Sequence, residues 1–74
     1  MSNAEVIREQ ALALATSGTD LDQAVRELER SAAGRRVAVV RARQQIETLG
    51  DDTEQPGTVR AIELLDEVLV RLPA

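Results

Sequence analysis

Nine positions near the middle of the chain constrain its fold more than anything else in it. Leu21, Val25, Leu28, Ala32, Arg35, Val39, Ala42, Ile46 and Leu49 are separated by alternating steps of four and three residues, and eight of the nine are apolar. That spacing sets all of them on one strip of an α-helix. Wound without interruption, the strip makes a rod about 43 Å long at 1.5 Å per residue. Its apolar seam suits coiled-coil packing. Arg35 interrupts the strip and Gly34 stands beside it. A mid-helix Gly costs about 1 kcal/mol, and a buried lone guanidinium costs far more. Arg35 therefore pairs with a carboxylate, snorkels to water or marks a break. The heptad phase survives across Gly34, which favours one unbroken helix over two.

Shorter helices flank this strip. Ser2 or Asn3 can cap a first helix over about 4–16, Glu5 suits its first turn, and Ile7, Ala11 and Leu14 share one face. Gly18 fits a left-handed stop after it. Asp20 opens the central helix, and Gln23 three residues on resembles a capping box. Residues 50–57 contain no apolar side chain and read as a loop. Thr58 can cap a last helix, and Pro73 ends it. On that helix Ala61, Ile62, Leu64, Leu65, Val68, Leu69 and Leu72 cover an arc of about 160°. Glu67 and Arg71 are placed there as an i, i+4 ion pair. Val37–Val40 has strand propensity, but good helix formers surround it.

The expected fold is all-α. One domain over 1–74 holds helices at about 4–16, 20–49 and 58–72. They form a small bundle around a long central helix, with four helices should Gly34 break it. The first helix lies on the N-terminal half of the central one and the last on its C-terminal half. Composition adds an expectation of self-association. The chain has 74 residues and no aromatic side chain, and about a third of its apolar set is Ala. In so small a domain, area gain and chain entropy nearly cancel. Val37 and Val40 lie away from the seam, Val59 and Val70 lie on the polar side of the last helix, and Leu12 lies off the main face of the first. These residues suggest a second contact face, met by another copy about a two-fold axis.

The same composition excludes much chemistry. There is no Cys, His, Lys or Tyr, which removes the commonest nucleophiles, bases and soft metal ligands. No phosphate loop, dinucleotide fingerprint, nucleophile elbow or EF-hand pattern occurs. Asp20 and Asp22 read as helix-start residues, and Asp51, Asp52 and Glu54 as loop solvation. No catalytic residue, metal, cofactor or small-molecule substrate is expected. No apolar run reaches the roughly 18 residues that span a bilayer, and no signal-peptide pattern is visible, so a cytoplasmic location is expected. The Arg-only basic set points to a GC-rich bacterial coding sequence.

One feature resembles a binding site. Arg30, Arg35, Arg36, Arg41 and Arg43 fall in a stretch without acidic residues, although the chain as a whole carries a net charge of -4. Guanidinium groups make bidentate contacts with carboxylate or phosphate. They suit an anion or an acidic partner. Alternatively they pair internally with Asp51, Asp52, Glu54, Glu63 and Glu67. On a continuous helix Arg26, Arg30 and Arg41 lie within about 60° and form the best exposed stripe.

The leading functional expectation is a non-enzymatic protein-interaction or oligomerisation module, a homodimer joined through the seam Leu21, Val25, Leu28, Ala32, Val39, Ala42, Ile46 and Leu49. The runner-up is a small nucleic-acid-associated regulator using the basic segment, with Arg41, Arg43, Gln44 and Gln45 as readers. It ranks lower because the sequence pI is near 4.7. A third is an antitoxin- or immunity-like inhibitor of a larger protein, acting through the acidic loop and the last helix.

Overall fold

A computed structural model describes residues 2–52 and 57–72. They form four α-helices: α1 (Asn3–Thr16), α2 (Leu21–Ala32), α3 (Arg36–Asp52) and α4 (Thr58–Arg71). Among the described residues there is no strand. The central helix expected over 20–49 is broken. Ala33 (φ 49°) and Gly34 (φ 78°) are both left-handed, and the Ala33 N–H closes α2 on the Glu29 carbonyl at 3.1 Å. Gly34 takes this conformation freely, while Ala33 costs about 1 kcal/mol. The gain is compaction. A straight rod of about 43 Å would exceed the longest dimension of the molecule, 32 Å, and the turn folds the second half of the ridge back onto the other helices. Arg35 falls in the turn and is exposed, so its guanidinium escapes burial in the ridge.

The heptad phase misled because helix continuity is not its only cause. Val25, Leu28 and Ala32 of α2, and Val39, Ala42 and Ile46 of α3, are all at most 1% exposed. Each half turns its own stripe toward one shared core, so the pattern persists across the break. α1 and α4 pack against each other and against both remaining helices, while α2 and α3 barely touch. The ridge is therefore covered by α1 and α4 of the same chain. This is a four-helix arrangement with α1 and α4 across its short diagonal. The last helix lies chiefly on the C-terminal half of the ridge, as expected, but α1, expected on the N-terminal half, packs more on α3 than on α2.

Ile7 and Ala11 from α1 and Ala61, Leu64, Leu65 and Val68 from α4 complete the core. Leu12, Leu14, Ile62, Leu69 and Leu72 pack around it, partly buried. Every helix contributes a buried Ala (Ala11, Ala24, Ala32, Ala42, Ala61). Small side chains at the crossings let the axes come close, which is how a core without aromatics fills its volume.

The helix ends follow the sequence with exceptions. Ser2 caps α1, its Oγ accepting from the Glu5 N–H at 3.2 Å, and Gly18 is left-handed as expected. Asp20 occupies the cap position of α2 without a side-chain cap hydrogen bond. Gly50, Asp51 and Asp52, read as loop, continue α3. The rest of that loop, residues 53–56, lies outside the described residues, as do Pro73 and Ala74. The cap of α4 is Gly57 (φ 101°), and Thr58 is the first helical residue, buried.

Gly57 admits no side chain. A Cβ there would stand 2.9 Å from Thr16 Cγ2. Thr16 cannot turn aside cheaply, because its Oγ1 donates to the Leu12 and Ala13 carbonyls. Gly57→Ala is expected to cost about 2 kcal/mol and to lower the melting temperature by about 10 °C. A Cβ at Gly34 meets nothing within 4 Å, so Gly34→Ala should cost only the backbone term of about 1 kcal/mol. Thermal melts of the two variants side by side check the ordering.

Candidate contact groove at the starts of α1 and α3

Breaking the ridge at Gly34 brings the first turn of α3 beside the first turn of α1. Between them lies a groove of about 450 Å³, lined by Ser2, Asn3, Ala4, Arg35, Arg36, Val37, Ala38 and Arg41. Its apolar lining comes from Ala4, Val37 and Ala38, and its charge comes from three guanidinium groups. Farther along, Arg8 of α1 donates to Gln45 Oε1 of α3 at 2.9 Å, which ties the two helices together.

The electrostatics of the groove follow from how α3 begins. The residues before it, Gly34 and Arg35, carry no side-chain oxygen that could cap it, although the Gly34 carbonyl accepts from the Arg36 N–H at 3.1 Å, and its first turn holds no acidic residue. The partial positive charge of a helix N-terminus thus adds to the arginines instead of being offset. At its other end α3 closes with Asp51-Asp52 and has no basic residue in its last turn. Both ends carry charge of the sign that a helix dipole disfavours.

The arginines divide clearly. Arg8, Arg43, Arg60 and Arg71 make ion pairs. Arg43 holds Asp66 of α4 at 2.6 Å and also Glu47. Arg71 reaches Asp22 at 3.5 Å and Glu29 at 3.6 Å on α2, instead of the expected Glu67. Among the described residues, Arg26, Arg30, Arg35, Arg36 and Arg41 have no ion pair. Three of these five line the groove. Arg36 also donates to the Leu69 carbonyl near the end of α4, at 3.0 Å.

The five arginines singled out from the sequence are thus not one site. Arg35, Arg36 and Arg41 come together. Arg43 faces α4, and Arg30 lies on α2 beside Gln10, Glu27 and Ser31. The expected stripe of Arg26, Arg30 and Arg41 does not exist, because the turn at Gly34 separates Arg41 from the other two. Of the expected internal pairings, the described residues contain none from these five arginines to Glu63 or Glu67.

The expected interaction seam is largely inside the molecule. Val25, Leu28, Ala32, Val39, Ala42 and Ile46 are core residues, and only Leu21 and Leu49, at its two ends, reach the surface. The expected second face is divided. Val37, Val59 and Val70 are among the most exposed apolar residues, and Val40 is half-buried. α3 and α4 run antiparallel, as the Arg36–Leu69 and Arg43–Asp66 contacts require. Val70 therefore lies toward the α3 start with Val37, and Val59 lies at the opposite end.

Ser2, Asn3 and Ala4 were not readable as groove residues. They join the site only because the turn at Gly34 brings the start of α3 beside α1, and no local pattern announces that. Among the described residues no helix is long and apolar enough to cross a membrane. No protein-family model matches the chain, and neither the curated proteins nor the solved structures yield a match.

Proposed function

We propose that the chain is a non-enzymatic interaction module and that its contact surface is the groove at the starts of α1 and α3. Its occupant is an acidic segment of a protein. Carboxylates meet Arg35, Arg36 and Arg41, while an apolar residue of the segment rests on Val37 and Ala38. The observation carrying this reading is that three arginines without ion pairs line one groove with an apolar wall, while Arg8, Arg43, Arg60 and Arg71 are paired. Exposed arginines without internal ion pairs are poised for bidentate carboxylate contacts. The heptad ridge serves this role indirectly, by building the core that holds the two helix starts together.

The test is fluorescence anisotropy with a labelled peptide of alternating Asp, Glu and Leu. The expected result is binding that weakens about tenfold between low and physiological salt, as partly exposed charge contacts do, and that is lost in Arg35→Glu/Arg41→Glu. Binding unchanged by that double substitution would remove the groove from the reading. A single-stranded oligonucleotide bound more tightly than the peptide at the same site would replace it with the nucleic-acid reading.

A further inference from the structure

Among the described residues the three most exposed large apolar side chains are Val37, Val59 and Val70, and all three belong to two outward strips. On α3 the strip is Val37, Arg41, Gln44 and Thr48, within an arc of about 60° at 100° per residue. On α4 it is Val59, Glu63, Glu67 and Val70, within about 80°. All eight residues are exposed. Among the described residues Arg41 and Glu67 have no ion pair, and Glu63 has only a loose one to Arg60 at 3.8 Å. The strips are level with each other. Because α3 and α4 run antiparallel, the Arg36–Leu69 and Arg43–Asp66 contacts fix their relative height. Midway between the alignments that these two contacts imply, Val37 stands level with Val70, Gln44 with Glu63 and Thr48 with Val59. Arg41 stands within one residue, about 1.5 Å, of Glu67. The flanks agree as well. Arg41 turns to the side of α3 away from α4, where it lines the groove with Ala4 of α1. Glu67 turns to the side of α4 away from α3, one turn before Arg71, which reaches α2.

We infer that these strips are the two halves of an interface with a second copy of this chain. The two-fold axis runs parallel to the helices, outside the seam between α3 and α4. Rotation about it keeps every residue at its own height and lays α3 of each copy antiparallel on α4 of the other. Val37 then meets the partner's Val70, Gln44 meets the partner's Glu63 and Thr48 meets the partner's Val59. Arg41 meets the partner's Glu67 on the same outer flank, and every pair occurs twice. Charge complementarity carries this arrangement, since the α3 strip holds only a basic charge and the α4 strip only acidic ones. Either strip laid on its own kind would set like charges together. The Thr48 hydroxyl is spent on the Gln44 carbonyl, which leaves its methyl for the partner's Val59. Arg43 already holds Asp66 and Glu47, so the charges nearest the axis enter the contact paired. Each copy contributes two helix faces about 17 Å long, less than the usual interface of about 1,600 Å², so the dimer is a weak one. This contact does not depend on the groove reading. Val37 and Arg41 border both surfaces, whereas Ser2, Asn3, Ala4 and Ala38 lie on the α1 side of α3 and stay outside it.

The chain has no Cys, so disulfide trapping reads the geometry directly. Val37→Cys and Val70→Cys change exposed positions and should keep full helicity in circular dichroism. Across the axis the two copies of Val37 lie diagonally, about 14 Å apart at a helix spacing of about 10 Å, beyond the about 7 Å Cα reach of a disulfide. Val37 and the partner's Val70 stand on facing helices, within that reach. In a glutathione buffer an equimolar mixture of the two variants is expected to form the linked dimer at least about tenfold more than either variant alone, as high effective concentration dictates. Sedimentation of wild type at about 1 mM, where a dissociation constant of up to about 100 µM leaves most chains paired, is expected to show twice 8.0 kDa. Glu67→Arg sets like charges together at both Arg41 contacts and should weaken the dimer at least about tenfold, while Arg41→Glu/Glu67→Arg restores the pairs and the mass. A single-chain mass for wild type, equal trapping by Val37→Cys alone, no loss in Glu67→Arg, or assemblies larger than two would overturn the dimer. The Glu67→Arg variant separates the two readings, because its groove residues are all native. If wild type is a single chain and this variant binds the acidic peptide, the dimer fails and the groove reading stands. If wild type is a dimer and this variant does not bind the peptide, the groove reading fails and the dimer stands.

Discussion

Ile46→Asp is expected to unfold the chain at 25 °C, abolishing its helical circular dichroism signal instead of merely dissociating an assembly. Ile46 is fully buried in the core formed with α1 and α4. A domain of 74 residues has a total stability of about 4–11 kcal/mol. Removing a large buried aliphatic side chain costs about 2–5 kcal/mol. A carboxylate left in its place without a partner adds several more. Together these approach or exceed the reserve. Val37→Asp is the control on the same helix. Val37 is 67% exposed, and an acidic residue in the first turn of α3 suits its dipole, so stability should stay level or rise by a few tenths of a kcal/mol. A folded, fully helical Ile46→Asp chain with only its mass altered would mean that the ridge is an intermolecular seam.

That contrast shows how far the sequence could be read. Periodicity identified the residues of the ridge correctly, because burial demands apolar side chains at helical spacing whatever covers them. It did not say what covers them. Val25, Leu28, Ala32, Val39, Ala42 and Ile46 look the same in a chain-to-chain seam and in a folded-back core. Continuity through Gly34 failed for a related reason. Two separate helices facing one core preserve the heptad phase as well as one long helix does, and the left-handed conformation of Ala33 leaves no mark in composition. Arg35 was the better clue, since a guanidinium on an apolar strip had to escape burial. The groove was half legible. Arg35, Arg36 and Arg41 were singled out by their charge, but Arg30 and Arg43 were grouped with them by chain proximity alone. Which arginines share a surface depends on the turn and on what α4 offers, and Asp66, which takes Arg43, lies 23 residues away. Ser2, Asn3 and Ala4 enter through tertiary packing only.

Ala42→Leu is expected to destabilise the fold by about 3 kcal/mol, although it adds apolar surface to a core that has little of it. The reasoning turns on space. Ala42 is fully buried, and α3 packs chiefly on α1 and α4. A chain without Phe, Tyr or Trp fills its interior by bringing helices close, and the buried alanines allow this. Three extra heavy atoms at such a site must separate the axes or force neighbouring side chains off their rotamers, which costs about 1–3 kcal/mol. The upper end applies because α1 and α4 lie across the short diagonal, where moving one disturbs its contacts with every other helix. Ala13→Leu provides the comparison. Ala13 is exposed on α1, so its substitution should change stability by no more than about 0.5 kcal/mol. Urea unfolding of the pair measures the difference directly. A gain in stability for Ala42→Leu would mean that the helices stand apart at this crossing and that the interior holds unfilled volume, in which case close helix approach is not what stabilises this core.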